Sequence, residues 1–174
     1  AVHIEAVLQL SQLGQEGGHA VADVLLGKAT PEGKLTATWA RRYTDYPCAE
    51  SFSYLDGDLE KAVYREGIYV GYRYFDSFGV QPLFPFGYGL SYTDFSLRFA
   101  GLRVGADAIE VDVEVENAGI CFSGREVAQV YISCPQNGGA KELRRLAGFA
   151  KTRLLAPEQC QTLTICIPQK QLAT

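Results

Sequence analysis

Methionine is missing altogether, tryptophan occurs once and histidine twice. The two histidines, His3 and His19, have no cysteine or second histidine at a ligand spacing, so no metal centre is expected. Basic residues are not in excess: 16 Lys and Arg against 20 Asp and Glu leave a formal charge of −4. That balance excludes the basic face a nucleic-acid partner requires. No apolar run approaches the ~20 residues of a membrane span, and no membrane partner is expected. The stretch Ala1 to Leu10 lacks the basic start and cleavage site of a signal peptide. A chain without methionine reads as one that begins inside a longer protein. No G-x-S-x-G elbow and no C-x-x-C pair occurs, and nothing implies a cofactor. The five cysteines are Cys48, Cys121, Cys134, Cys160 and Cys166. Cys160 and Cys166 flank a strand-like stretch, and six strand residues span roughly 20 Å, far beyond the ~7 Å limit for a disulfide. Reduced thiols and a cytoplasmic location are expected.

What is present divides into three parts. In residues 1–63, Ala6 to Leu10 is a short apolar run consistent with a buried strand. The loop Gly14-Gln15-Glu16-Gly17-Gly18 follows, then Val21, Val24 and Leu25 at helical spacing. Gly27 and Pro31 end that helix. From Lys34 to Trp39 the pattern alternates, with Leu35, Ala37 and Trp39 facing one way, as in a strand with one buried face. Strand, glycine loop, helix and strand make the tail of an α/β unit. The glycine loop reads as a tight strand-to-helix turn, since it lacks the spacing of a phosphate-binding fingerprint.

Residues 93–174 carry strands alone. Phe95, Leu97 and Phe99 alternate with polar residues. Ile109, Val111, Val113 and Val115 alternate with Glu110, Asp112, Glu114 and Glu116, and Asn117-Ala118-Gly119 supplies a turn. Val127 to Ile132, a mixed segment Glu142 to Leu155, and Leu163, Ile165 and Ile167 complete five strand segments. Short strands with turns between them predict an antiparallel sandwich. The four carboxylates stretch along about 20 Å of strand, which suits a solvated face rather than calcium.

Residues 64–92 hold half of the chain's ten tyrosines, nine phenylalanines and one tryptophan. Aromatics at this density on irregular backbone need surfaces to pack against. They read either as a cap joining the two flanking parts or as a platform for stacking a sugar ring. In the first case Phe75, Phe84 and Phe86 are expected between the two parts. Glu66 lies inside this stretch. It is a candidate acid or a structural partner for Arg73 or for backbone N–H groups, but a glycosidase needs two facing carboxylates, and no convincing second one offers itself.

Three stretches resemble the C-terminal end of glycoside hydrolase family 3 β-glucosidases. They are Gly14 to Gly27 with Pro31-Glu32-Gly33-Lys34-Leu35, then Tyr64-Arg65-Glu66-Gly67-Ile68-Tyr69-Val70-Gly71-Tyr72-Arg73-Tyr74-Phe75-Asp76, then Pro85-Phe86-Gly87-Tyr88-Gly89-Leu90-Ser91-Tyr92. Glu126 to Tyr131, and Lys141-Glu142-Leu143 to Phe149, resemble strands of the fibronectin type III-like domain found there. Ala156-Pro157-Glu158-Gln159 stands where the family usually has a Pro-Gly-Glu turn.

The resemblance implies an α/β tail that ends an α/β sandwich domain, followed by an immunoglobulin/fibronectin type III-like sandwich. It also implies a parent enzyme whose upstream barrel and sandwich domains are this chain's partners and bring it to a β-glucoside or oligosaccharide substrate. The parent's expected chemistry is retaining hydrolysis of terminal β-linked sugars. The family's Asp nucleophile and Glu acid/base map to no residue of this chain. Tyr64 and Glu66 are the candidates for lying near substrate. The alternative is a non-catalytic carbohydrate-binding or adhesion module. A complete fibronectin-like sandwich uses about seven strands. The last two are therefore expected to be missing, the Ile109 to Val115 face to lack its cover, and the chain to self-associate.

Overall fold

The computed structural model describes residues 3–172 except 62, 134 and 136–138. Five strands form within the five segments expected to be strands, β4 inside the mixed segment Glu142 to Leu155. β1 (Phe95–Val104), β2 (Ala108–Asn117) and β5 (Cys160–Pro168) make one antiparallel sheet in the order β1-β2-β5. β3 (Val127–Ser133) and β4 (Arg144–Lys151) make a second. Cross-strand partners share a face, so Ile109 and Ile167, Val111 and Ile165, and Val113 and Leu163 form one apolar layer. Val111, Val115, Leu163, Ile165 and Ile167 are buried there with Ala128, Ala147 and Leu155. Small residues let the second sheet approach: a Cβ on Gly148 would lie 2.7 Å from Ile165 Cγ2.

Asn117 ends β2 as the turn signal predicts, and it is fully buried. Its amide donates to the carbonyls of Phe122 and Leu155, both at 2.9 Å. Its oxygen accepts from Gly119 N–H and the Thr93 hydroxyl. Every hydrogen-bonding position of this buried side chain is thus used.

Two expectations are corrected. The Ile109 to Val115 face does not lack its cover, since β3 and β4 lie over it and bury Val111 and Val115. The open face belongs to β1. A register shift between Phe99 and Gly101 puts Leu97, Phe99, Leu102 and Val104 opposite Val115, Val113, Val111 and Ile109. These four remain exposed, Phe99 at 67% and Val104 at 70%, because three strands are wider than the two above them.

The other correction concerns residues 1–63. Ala6 to Leu10 forms no strand and is exposed. A strand needs a neighbour to take its backbone groups, and no described residue pairs with it. Lys34 to Trp39 is no regular strand either, and Thr38, not Ala37, is buried. It docks by separate bonds on residues 83–88. Leu35 N–H donates to Tyr88 O at 2.8 Å, Gly87 N–H to Leu35 O at 2.8 Å, and Trp39 N–H to Phe84 O at 2.8 Å. Pro82 and Pro85 lack the N–H donors of a continuous ladder. α1 (Gly17–Leu25) forms as predicted and ends at Gly27, φ +71°. Four cysteines, 48, 121, 160 and 166, are free, and Cys134 lies outside the described residues.

Candidate functional site

α2 (Tyr72–Ser77) follows Gly71, whose φ of +57° turns the chain into the helix. Its Phe75 is 2% exposed and meets Tyr46 edge-on, with ring centroids 5.9 Å apart. Tyr72, Asp76 and Ser77 point the other way, onto the β-sandwich. The Tyr72 hydroxyl accepts from Leu146 N–H at 2.8 Å, and its ring lies 5.2 Å from Phe86 and 5.6 Å from Tyr131. Asp76 takes both arms of Arg144 at 2.7 and 3.1 Å, and Ser77 Oγ accepts from Leu143 N–H at 2.9 Å. The aromatic stretch therefore caps the sandwich, as one of the two readings holds. Of the rings expected between the two parts, Phe84 and Phe86 are half-buried, and Phe75 is buried beneath Tyr46 instead.

A second joint is ionic. Lys34 Nζ donates to Gly89 O at 2.9 Å and lies 2.9 Å from the Glu126 carboxylate, with both side chains largely buried. Gly89 must be glycine here, because a Cβ would come 2.2 Å from Gly33 O. Glu32 binds Arg125 at 3.1 Å and Lys151 at 2.9 Å. Burial pushes the Glu32 carboxyl upward, but hydrogen bonds from Lys151 and Arg125 outweigh it and hold the group below the usual carboxylate range. Periodicity hid these residues, since it assigned Lys34 only to the solvent side of a strand.

Beside the joint lies an open cleft of about 630 Å³. One wall is the 43–50 segment with Tyr43, Tyr46, Cys48 and Glu50. The other carries Arg65, Glu66, Tyr69, Tyr74 and Phe78. Tyr69 and Tyr74 each pack on Phe78 at 5.0 Å. Tyr46 is pinned by Ala40 N–H, which donates to its hydroxyl at 3.1 Å. Cys48, φ +55°, lies between two 3₁₀ turns, Tyr43–Asp45 and Ala49–Ser51, in this wall. Glu66 is half-buried in this cleft. Tyr64, 87% exposed, does not line it. Glu66 makes no side-chain hydrogen bond among the described residues. Arg73 acts instead on buried Glu142, whose carboxyl is lowered first by a backbone hydrogen bond and, against its burial, by Arg145 and Arg73. Among the described residues no cluster of His, Cys, Asp and Glu could hold a metal ion.

Residues 1–72 match the Glycosyl hydrolase family 3 C-terminal domain, and residues 126–174 match the Fibronectin type III-like domain. A beta-glucosidase of Ruminococcus albus is 43% identical over 98% of the chain, and Beta-glucosidase A of Butyrivibrio fibrisolvens is also 43% identical over 98%. The chain spans 17% and 22% of their lengths, about a fifth. Beta-glucosidase 3B of Thermotoga neapolitana, solved in complex with glucose, superposes on 92% of the chain with a TM-score of 0.85 and 43% identity, matching 22% of that protein. With both halves matched in order and these relatives spanning the joint between them, the chain belongs to glycosyl hydrolase family 3 and corresponds to its C-terminal region.

Proposed function

We propose that this chain is the non-catalytic C-terminal part of a β-glucosidase-like hydrolase, which removes terminal β-linked sugars with retention of configuration. Its partners are the upstream barrel and α/β sandwich domains of the parent, and substrate is met through that parent. One observation carries this reading. The motif residues that look most chemical, Lys34, Tyr72, Asp76 and Glu126, are all engaged in joining the tail, the junction and the sandwich. A retaining glycosidase needs two carboxylates about 5 Å apart across one bond, and the carboxylates engaged at these joints hold domains together. The names of the relatives, all beta-glucosidases, support the substrate class. Self-association of the isolated chain belongs to the same reading, because β1 presents an open apolar stripe at a sheet edge.

The test compares the chain with the longest reading frame that contains it, using an aryl β-glucoside. The parent is expected to turn over and the chain alone to be inactive. Turnover by the chain that disappears in Glu66→Gln would overturn the proposal, and so would a parent without activity. Sedimentation at micromolar concentration checks association: a species larger than the 19.0 kDa monomer is expected, reverting to monomer in Phe99→Lys.

A further inference from the structure

The cleft between the 43–50 segment and the Arg65–Phe78 stretch is left over when the joints are complete. Its volume of about 630 Å³ falls in the roughly 300–1,000 Å³ range of small-molecule sites. Two kinds of surface meet in it. Tyr43 keeps 54% of its area exposed and offers the aromatic surface, whereas the Phe78 ring is already packed by Tyr69 and Tyr74. The side chains of Glu50, Arg65 and Glu66 line the same space and make no hydrogen bond or ion pair among the described residues. Charged groups without protein partners beside an open aromatic face suit a ligand that has both apolar faces and hydroxyl groups. Two carboxylates to one guanidinium leave the lining net negative and repel an anionic ligand, while a purely cationic one offers Arg65 no acceptor. A neutral polyol ring meets neither penalty.

We propose that this cleft is a pyranose-binding site on the chain itself, separate from bond cleavage. A hexose stacks its C–H face on Tyr43. Its hydroxyls donate to the Glu66 and Glu50 carboxylates and accept from Arg65. The αL residue Cys48 fixes the wall that carries Tyr43, so the site is shaped before the sugar arrives. The choice of β-glucosides as the sugars to try rests on the glycosidase reading; the binding chemistry does not.

The experiment is ligand-observed saturation-transfer NMR on the chain, with methyl β-D-glucoside and cellobiose as probes. Saturable binding with Kd on the order of 1–10 mM is expected for a site of this few contacts. Glu66→Gln and Tyr43→Ala are each expected to weaken it about tenfold, the effect of losing one charge-assisted bond or one stacked face. Tyr64→Ala, outside the cleft, leaves it unchanged. If Tyr43→Ala lowers Tm, Arg65→Gln replaces it. Tighter binding of cellobiose than of the single ring identifies the end of a glycan as the ligand, and equal binding identifies one ring. No saturable signal up to about 100 mM, or binding indifferent to Glu66, Tyr43 and Arg65, overturns the inference. The aryl-glucoside assay on the parent is independent of this readout. A parent that hydrolyses while the chain binds nothing sinks only the cleft. A chain that binds through Glu66 beside an inactive parent sinks only the hydrolase reading.

Discussion

The β-sandwich and the α/β tail solve the same problem with unequal success. The sandwich buries its own apolar layer, with Val115, Leu155, Ile165 and Ile167 all at 3% exposure or less. The tail does not: Ile4, Val7, Leu8, Leu13, Leu25 and Leu26 stay exposed. The difference follows from architecture. An antiparallel sheet needs one covered face, which a second short sheet supplies, whereas a strand of an α/β layer needs neighbours on both edges and helices above. The tail is held mainly by what it sends across the junction. Lys34, Glu32, Thr30 and the carbonyl of Val24 all find partners beyond residue 88.

The largest effect that sharpens this contrast is a cavity. Ile165→Ala is expected to cost about 2–5 kcal/mol in a urea titration, while Leu25→Ala, on an open helix face, costs about 0.5 kcal/mol or less. Equal losses would break the comparison. Next comes the cap: Tyr72→Phe removes the acceptor for Leu146 N–H and should cost about 1–3 kcal/mol, with faster amide exchange at Leu146. Unchanged exchange there would mean that α2 does not hold β4.

The ionic joint contributes less, and its sign with pH is fixed. The folded-state carboxyl of Glu32 lies below its ordinary value. Its contribution is therefore complete above the unfolded value of about 4.3 and is lost as pH falls through the lower, folded one. Glu32→Gln should cost about 1 kcal/mol at neutral pH, since Arg125 and Lys151 are partly in water. Urea midpoints of the two proteins should converge as pH falls through that lower folded-state value. A gap that persists there would show that charge is not what the carboxylate supplies.

The smallest effect concerns one turn. Glu158, φ +63°, occupies the third position of a turn closed by Gln159 N–H to Ala156 O at 3.0 Å. That position favours glycine, and glycine is what the resembling family usually carries in this turn. Glu158→Gly should raise stability by roughly 0.5–1 kcal/mol. A lower Tm would mean that the side chain makes a compensating contact.

Alternation made β1, β2 and β5 legible, because apolar residues recur at every second position there, whereas β4 lay inside a mixed segment without that period. It failed at Lys34 to Trp39, whose partner is a Pro- and Gly-containing stretch some fifty residues on that takes single bonds instead of a ladder. The fibronectin-like strand count was legible too, but not which strand would stay open. That depends on the strand order β1-β2-β5 beneath a sheet of two strands, which no periodicity marks. For the cleft, the aromatic stretch announced Glu66 while the opposite wall was silent, since Tyr43 and Tyr46 sit in turns without a repeat. Tyr64 lies two residues before Glu66 and points elsewhere, as an irregular backbone permits.

Trp39, the single tryptophan, sits where the tail touches residues 83–84, its ring 6.0 Å from Phe84 and edge-on to it. Its emission is therefore a local gauge, while the tyrosines are spread over both parts. Undocking of the tail will shift that emission while the far-ultraviolet signal of the sheets holds steady. A fluorescence titration beside circular dichroism thus separates a loosened hinge from a melted sandwich in one unlabelled sample.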